Sequence, residues 1–149
     1  MEFDVAGQIT DNISLFGSYT YDDAIIIADN ATGAGAVLGK RWAGVPRHSG
    51  NLWAKYDTAP GQSEGWAFGA GFYANGERQG NNTNSFQLPG YVRVDTMIGY
   101  RTVLAGIPVE AQLNVKNIND ARYFEATGGG IYSYYGAPRT FVGSLKLKF

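Results

Sequence analysis

The sequence contains no cysteine and a single histidine, His48. Without cysteine there is neither a disulfide framework nor a thiolate metal site. Without cysteine no Cys-His arrangement can be assembled around a nucleophile, and with a single histidine an enzyme is not expected. His48 has no second histidine near it, and Asp22, Asp23 and Asp29 lack the calcium-loop pattern. The expectation is therefore no catalytic residue, no metal site and no cofactor. An excess of one charge is missing too: 12 Lys and Arg stand against 13 Asp and Glu, with no long run of either sign. Such a balance gives no field that would draw the chain to nucleic acid. No apolar stretch approaches the roughly 18 residues of a membrane-crossing helix, and "AIII" (Ala24 to Ile27) is far too short. The opening "MEFDVAGQIT" is strand-like with an acid at its second position, so it does not read as a secretory signal.

What the 149 residues do hold is 21 Gly, 10 Tyr and 8 Phe, a composition of strands and turns. Period-two alternation dominates. "FDVAGQIT" puts Phe3, Val5, Gly7 and Ile9 on one face, Asp11-Asn12 turns the chain, and "ISLFGSYTY" resumes with Ile13, Leu15, Tyr19 and Tyr21 on the apolar side. Further segments follow at "NLWAKY", "GWAFGAGFYANG", "YVRVDTMIGYR", "VEAQLNVKN" and "TFVGSLKLKF". The pattern predicts about seven antiparallel strands in one domain and no helix. "GAGAVLGKR" fits neither the dinucleotide fingerprint nor the P-loop, since Arg41 stands where the latter needs Ser or Thr. It reads as a surface loop.

The charges keep one parity. Arg93, Asp95 and Arg101 oppose Val92, Val94, Ile98 and Tyr100; Glu110 and Lys116 oppose Val109, Ala111, Leu113 and Val115; Lys146 and Lys148 oppose Phe141, Leu145, Leu147 and Phe149. A soluble up-and-down barrel turns its apolar face inward, whereas an outer-membrane barrel turns it to lipid. Three features favour the second arrangement. Connections that are short (Asp11-Asn12, Leu104 to Ile107) or modest (Asp57 to Gly65) alternate with long ones after Tyr21, Asn75 and Asn117. Aromatics, including Tyr19, Tyr21, Tyr56, Trp66, Tyr100 and Phe149, sit near strand ends on the apolar face, where an interfacial girdle belongs. The polar face carries isolated long charged side chains with little apolar bulk, which makes a poor soluble core. The fold class expected is all-β, an antiparallel up-and-down transmembrane β-barrel segment. The alternative is a soluble or self-assembling β-barrel ligand-binding module.

Four pieces carry a resemblance: "GVPRHSGNLWAKY", "FGAGFYANGERQGNNTNSFQLPGYVRVDTMIGYR", "LNVKNINDARYFEA" and "YYGAPRTFVGSLKLKF". Their order and combination resemble the carboxy-terminal barrel portion of the TonB-dependent outer-membrane receptors, particularly the ferric-siderophore receptors. The resemblance implies a bacterial outer-membrane location and a barrel of about 22 strands filled by a plug domain. It further implies uptake of a ferric siderophore or similar metal chelate, driven by the TonB complex through the plug. It also implies that the aromatic strand ending at Phe149 is a signal read by the barrel-assembly machinery. No plug is found in the 149 residues, and seven strands do not make the family's barrel. An open sheet would leave unpaired edges in hydrocarbon. The chain is accordingly expected to be a fragment, with Met1 an internal or artificial start, the outer-membrane lipid and the rest of the barrel as its partners, and no nucleic acid.

Binding is expected from the long loops. "GKRWAGVPR" offers Lys40, Arg41 and Trp42; "ARYFEATGGGIYSYYGAPR" offers Arg122, Tyr123, Tyr132, Tyr134 and Tyr135. A ferric chelate is compact, often anionic and presents flat groups, which cations and aromatic rings suit. The candidate ligand residues are Arg41, Trp42, Tyr132, Tyr134 and Tyr135; Arg122 and Tyr123 belong to a motif that reads as structural. Gly128, Gly129 and Gly130 imply a mobile loop.

Overall fold

A computed structural model of the chain describes residues 1–128 and 132–149. Its strands, in chain order, are β1 (Glu2–Gln8), β2 (Ile13–Tyr21), β3 (His48–Asp57), β4 (Gly65–Asn75), β5 (Arg78–Gln79), β6 (Gln87–Leu88), β7 (Tyr91–Leu104), β8 (Ile107–Lys116), β9 (Phe124–Gly128), β10 (Tyr132–Tyr135) and β11 (Thr140–Leu147). Among the described residues the only helical element is one 3-10 turn, Gly33–Gly35, inside the segment read as a surface loop. Seven strands form a single antiparallel sheet in the order β1-β2-β3-β4-β7-β8-β11. These are the seven expected from the alternation. The pairs β5-β6 and β9-β10 are separate two-stranded hairpins inside the long loops; sequence reading did not anticipate them.

Register turns the parity of single strands into a property of the whole sheet. Val5, Gly17, Leu52, Phe72 and Val94 stand opposite one another across five strands, and Tyr56, Phe68, Ile98, Leu113 and Gly143 do so further along. The alternate rows hold Asp4, Ser18, Asn51, Tyr73 and Arg93, then Arg101, Glu110 and Lys146. Every Asp, Glu, Lys and Arg in the seven strands falls on this second face. A slip of one residue in any pairing would throw those charges onto the apolar side, so the register is strongly specified.

The apolar face is the uncovered one. On β4 and β7, Trp66, Phe68, Phe72, Val92, Ile98 and Tyr100 are exposed while Ala67, Gly69, Asp95 and Gly99 of the polar face are buried. Buried hydrophobic residues among those described come to Ile26, Ala67, Leu88 and Tyr123, too few for a water-soluble core. The accessible surface is 9571 Å², against about 7,400 Å² for a compact 16.1 kDa monomer. This is the inside-out pattern expected of a sheet whose apolar side meets lipid.

Two local details fix the sheet. Ala105 and Gly106 both take positive φ, 50° and 82°, so β7 and β8 join through the two-residue turn whose twist matches a hairpin. On the polar face Trp53 lies flat over β4, and a side chain at Gly71 would come within 2.3 Å of its ring. The β1-β2 connection differs from the expected Asp11-Asn12 pair. Ile9 and Thr10 also leave the ladder, because the Thr10 hydroxyl accepts from the amides of Asn12 and Ile13 and lengthens the turn.

Candidate functional site

The three long connections, 22–47, 76–90 and 117–139, all leave the same end of the sheet, and the short turns close the other. Polar side chains tie the first two together. Asn84, in the left-handed region at φ 54°, accepts from the Arg41 amide at 2.9 Å and donates to the Arg41 carbonyl at 2.8 Å, as a paired strand would. Asn82 accepts from the Ala43 amide at 2.9 Å, and Lys40 donates to the Thr83 carbonyl at 3.0 Å. The third loop joins through Thr127, whose hydroxyl donates to the Gly80 carbonyl at 2.6 Å, and through Arg78, which donates to the Phe124 carbonyl. Inside the first loop, Asp29 accepts from the amides of Ala31 and Val37 at 2.9 and 2.6 Å. Those amides, Val37 foremost, hold its carboxyl below the usual carboxylate range.

The candidate residues divide between anchors and exposed groups. Arg41 pairs through its backbone with Ile25, and its side chain is only 18% exposed, with Nε 3.7 Å from Asp23. Arg47 reaches the same Asp23 oxygen at 2.9 Å, and that contact raises the Arg47 pKa further above its ordinary value. Arg41 thus anchors its loop. Trp42, one residue on, is 53% exposed while its amide is held by the Ala24 carbonyl. Tyr132, Tyr134 and Tyr135 are 65%, 56% and 74% exposed on β10. A register shift between Tyr134 and Tyr135 breaks the alternation, and the Tyr135 ring stacks on Phe124 at 4.7 Å. The first loop and the β9-β10 hairpin adjoin at Gly44, where an added side chain would meet Thr127 at 3.5 Å. Trp42 and the three tyrosines therefore lie on neighbouring loops. Of the expected mobile glycines, Gly128 is the last residue of β9, beneath the Tyr134 ring; Gly129 and Gly130 lie outside the described residues.

Below the loops, the upper polar face carries a network that sequence reading found only in part. Asp95, 8% exposed, holds Arg93 through both carboxylate oxygens at 3.1 and 3.0 Å and accepts from the Asn117 amide at 2.8 Å. Arg93 also covers the Tyr73 ring, 4.6 Å from its centre, and points toward the Tyr123 hydroxyl. Tyr123 stacks on Tyr91 at 4.2 Å, and Arg78 lies over Tyr91. Asn117 is 1% exposed in the left-handed region; its side chain donates to the carbonyls of Ala121 and Ala137 and accepts from the Ala121 amide. Tyr123, at 3% exposure, is a structural member of the motif. The "NVKN" asparagine was visible in sequence, but its partners lie up to 22 residues away.

The arrangement is a rigid cap of cross-bonded loops that offers aromatic rings outward, above a sheet with one ionic and one apolar face. Comparison with known proteins agrees with this geometry. A family model described as TonB dependent receptor-like, beta-barrel matches residues 1–118. The ferrioxamine B receptor of Salmonella typhimurium is 34% identical over 151 residues, covering 100% of this chain and 21% of that protein. The ferrichrome outer membrane transporter/phage receptor of Escherichia coli K12 is 30% identical over 152 residues, 100% of this chain and 19% of that protein. Among solved structures, the ferric preacinetobactin receptor BauA of Acinetobacter baumannii superposes with a TM-score of 0.84 at 25% identity, over 97% of this chain and 21% of that one. The chain spans about a fifth of the length of the curated relatives it matches.

Proposed function

Because this chain belongs to the TonB-dependent receptor β-barrels of the outer membrane, we propose that it forms part of the wall and outer loops of a receptor for ferric siderophores. The observation that carries the reading is the partition across the sheet: all ionic side chains of seven registered strands lie on one face and most of the exposed large apolar residues on the other. In the parent receptor the chain supplies the carboxy-terminal seven strands of a larger barrel. The remaining strands, the plug and the TonB contact lie in the rest of the parent's length. Phe149, fully exposed beside the short turns, is the residue assigned to recognition by the assembly machinery. The role is binding and passage, without catalysis.

Within that receptor, the exposed rings of Trp42, Tyr132, Tyr134 and Tyr135 are the proposed contacts to the chelate, and Arg41 anchors the loop that carries Trp42. The test is equilibrium binding of a panel including ferrioxamine B and ferrichrome to the full-length receptor. A Tyr132, Tyr134 and Tyr135 triple alanine variant should lose affinity for whichever chelate binds, while keeping native mobility on electrophoresis. Unchanged affinity in that variant removes the hairpin from the site.

A further inference from the structure

On the apolar face, near the long-loop end, Tyr19, Gly50, Ala74 and Val92 stand opposite one another on β2, β3, β4 and β7, with Phe72 one row further in. The middle of that row has almost no side chains. Between the rings of Tyr19 and His48 on one flank and Phe72 and Val92 on the other there is a cleft of about 670 Å³, floored by Gly50, Ala74, Gly76 and Gly90. The bareness of the floor is built in. A side chain at Gly50 would come within 2.7 Å of the Ser18 carbonyl, and one at Gly90 within 2.8 Å of the Asn75 carbonyl. No rearrangement of neighbouring rings would fill these positions.

The outer end of the cleft is its polar end. The Tyr19 hydroxyl pairs with His48 Nδ1 at 2.7 Å, and Tyr21 packs on the same imidazole with ring centres 5.2 Å apart. When the hydroxyl donates, the ring proton sits on Nε2, which no described residue engages. His48 is exposed. The cleft thus combines an apolar trough, continuous with the lipid-facing surface, and an exposed imidazole, whose Nε2 is a donor when Nδ1 accepts from Tyr19, at the level where strands give way to the exterior loops. In a bilayer, an apolar trough on this face is filled by hydrocarbon, since water there would find few polar partners.

We propose that this cleft is a lipid-binding site: it seats one acyl chain of an outer-leaflet lipid between Tyr19 and Phe72, with the lipid's phosphate held by His48. The proposal rests on the membrane facing of the sheet and is separate from the identity of the chelate. Its test uses the full-length receptor in nanodiscs doped with a photoactivatable acyl-chain lipid, either a phosphatidic acid or the matching diacylglycerol that lacks the phosphate, with cross-links mapped by mass spectrometry. Labelling should concentrate at Phe72, Ala74 and Val92 over Val5 and Leu147, which are exposed on the same face outside the cleft. Ala74→Leu, which fills the trough, should reduce labelling at Phe72 and Val92 to the level of Val5. His48→Ala should abolish the preference for phosphatidic acid and leave Leu147 labelling unchanged. Even labelling along the face, or no effect of Ala74→Leu, overturns the trough; equal labelling by the two lipids in the unsubstituted receptor overturns the role of His48. Absence of labelling at Val5 and Leu147 as well would instead reject the lipid facing of the sheet.

Discussion

Leu113→Lys places an ammonium in the middle of the apolar run of β8, between Ile98 of β7 and Gly143 of β11. Leu113 is 41% exposed, and its face of the sheet offers no carboxylate to pair with. A Lys at the bilayer midplane costs about 2–4 kcal/mol, falling to about 0–1 kcal/mol near an interface. The inserted population should therefore fall roughly 30- to 700-fold relative to the uninserted one. Leu147→Lys, in the last described pair of β11 beside the short turns, should cost no more than about 1 kcal/mol. Gln112→Lys, one residue away on the wet face, should stay within about 0.5 kcal/mol. The measurement is denaturant-dependent folding of the full-length receptor into phospholipid vesicles, with each substitution made alone. It is the gradient that discriminates, since a close-packed inward core would penalise charge by local packing, with no relation to membrane depth. Equal costs at Leu113 and Leu147, or a cost at Gln112 matching that at Leu113, would refute the facing.

The seven long strands were legible because period-two alternation runs along each with few breaks, and the charges on five of them recur often enough to fix parity without any knowledge of pairing. Loop lengths gave the polarity of the two ends for the same reason: they are counted along the chain. What stayed hidden depends on side chains meeting across the sequence. The hairpin β5-β6 has two residues on each side, too few for a period, and its neighbourhood is held by bonds such as Thr127 to Gly80, 47 residues apart. Arg41 illustrates the same limit at the candidate site. Residue type alone made it a free cation for a ligand, yet Asn84, 43 residues away, holds its backbone and Asp23 lies beside its guanidinium. Tyr132, Tyr134 and Tyr135 stand exposed as a loop assignment would have them, but within a short strand whose register shift sends Tyr135 onto Phe124. Asn117 was readable as part of a motif; that it completes four hydrogen bonds at once was not, because two of them reach Asp95 and Ala137.

Three further outcomes follow. Asn117→Ala strands the Ala121 amide and two carbonyls at a site 1% exposed, at about 1–3 kcal/mol for each buried group left unpaired, so limited proteolysis should cut the 117–139 loop faster while the barrel persists. Asp57→Asn breaks the two-pronged contact to Arg101 at 2.7 and 2.8 Å; a loss of about 1.5–3 kcal/mol in denaturant titration is expected, and the Asp57→Asn, Arg101→Gln double variant should recover part of it. The order of the first exterior loop should depend on acid through Asp29. Its carboxylate is the acceptor for the Ala31 and Val37 amides, and its pKa in the folded loop lies below the ordinary 3.8. A depressed carboxylate pKa means the stabilising contribution is fully present above the unfolded value and lost as pH falls through the folded one. Hydrogen exchange at the Val37 amide should therefore be protected at neutral pH and at pH 4, and open only in stronger acid, after allowance for the intrinsic pH dependence of exchange. Asn at position 29 keeps one acceptor oxygen and loses the charge, so Asp29→Asn should open the loop at neutral pH to the extent that acid opens the parent. Protection that declines already between pH 6 and pH 4 would show that another group organises the loop.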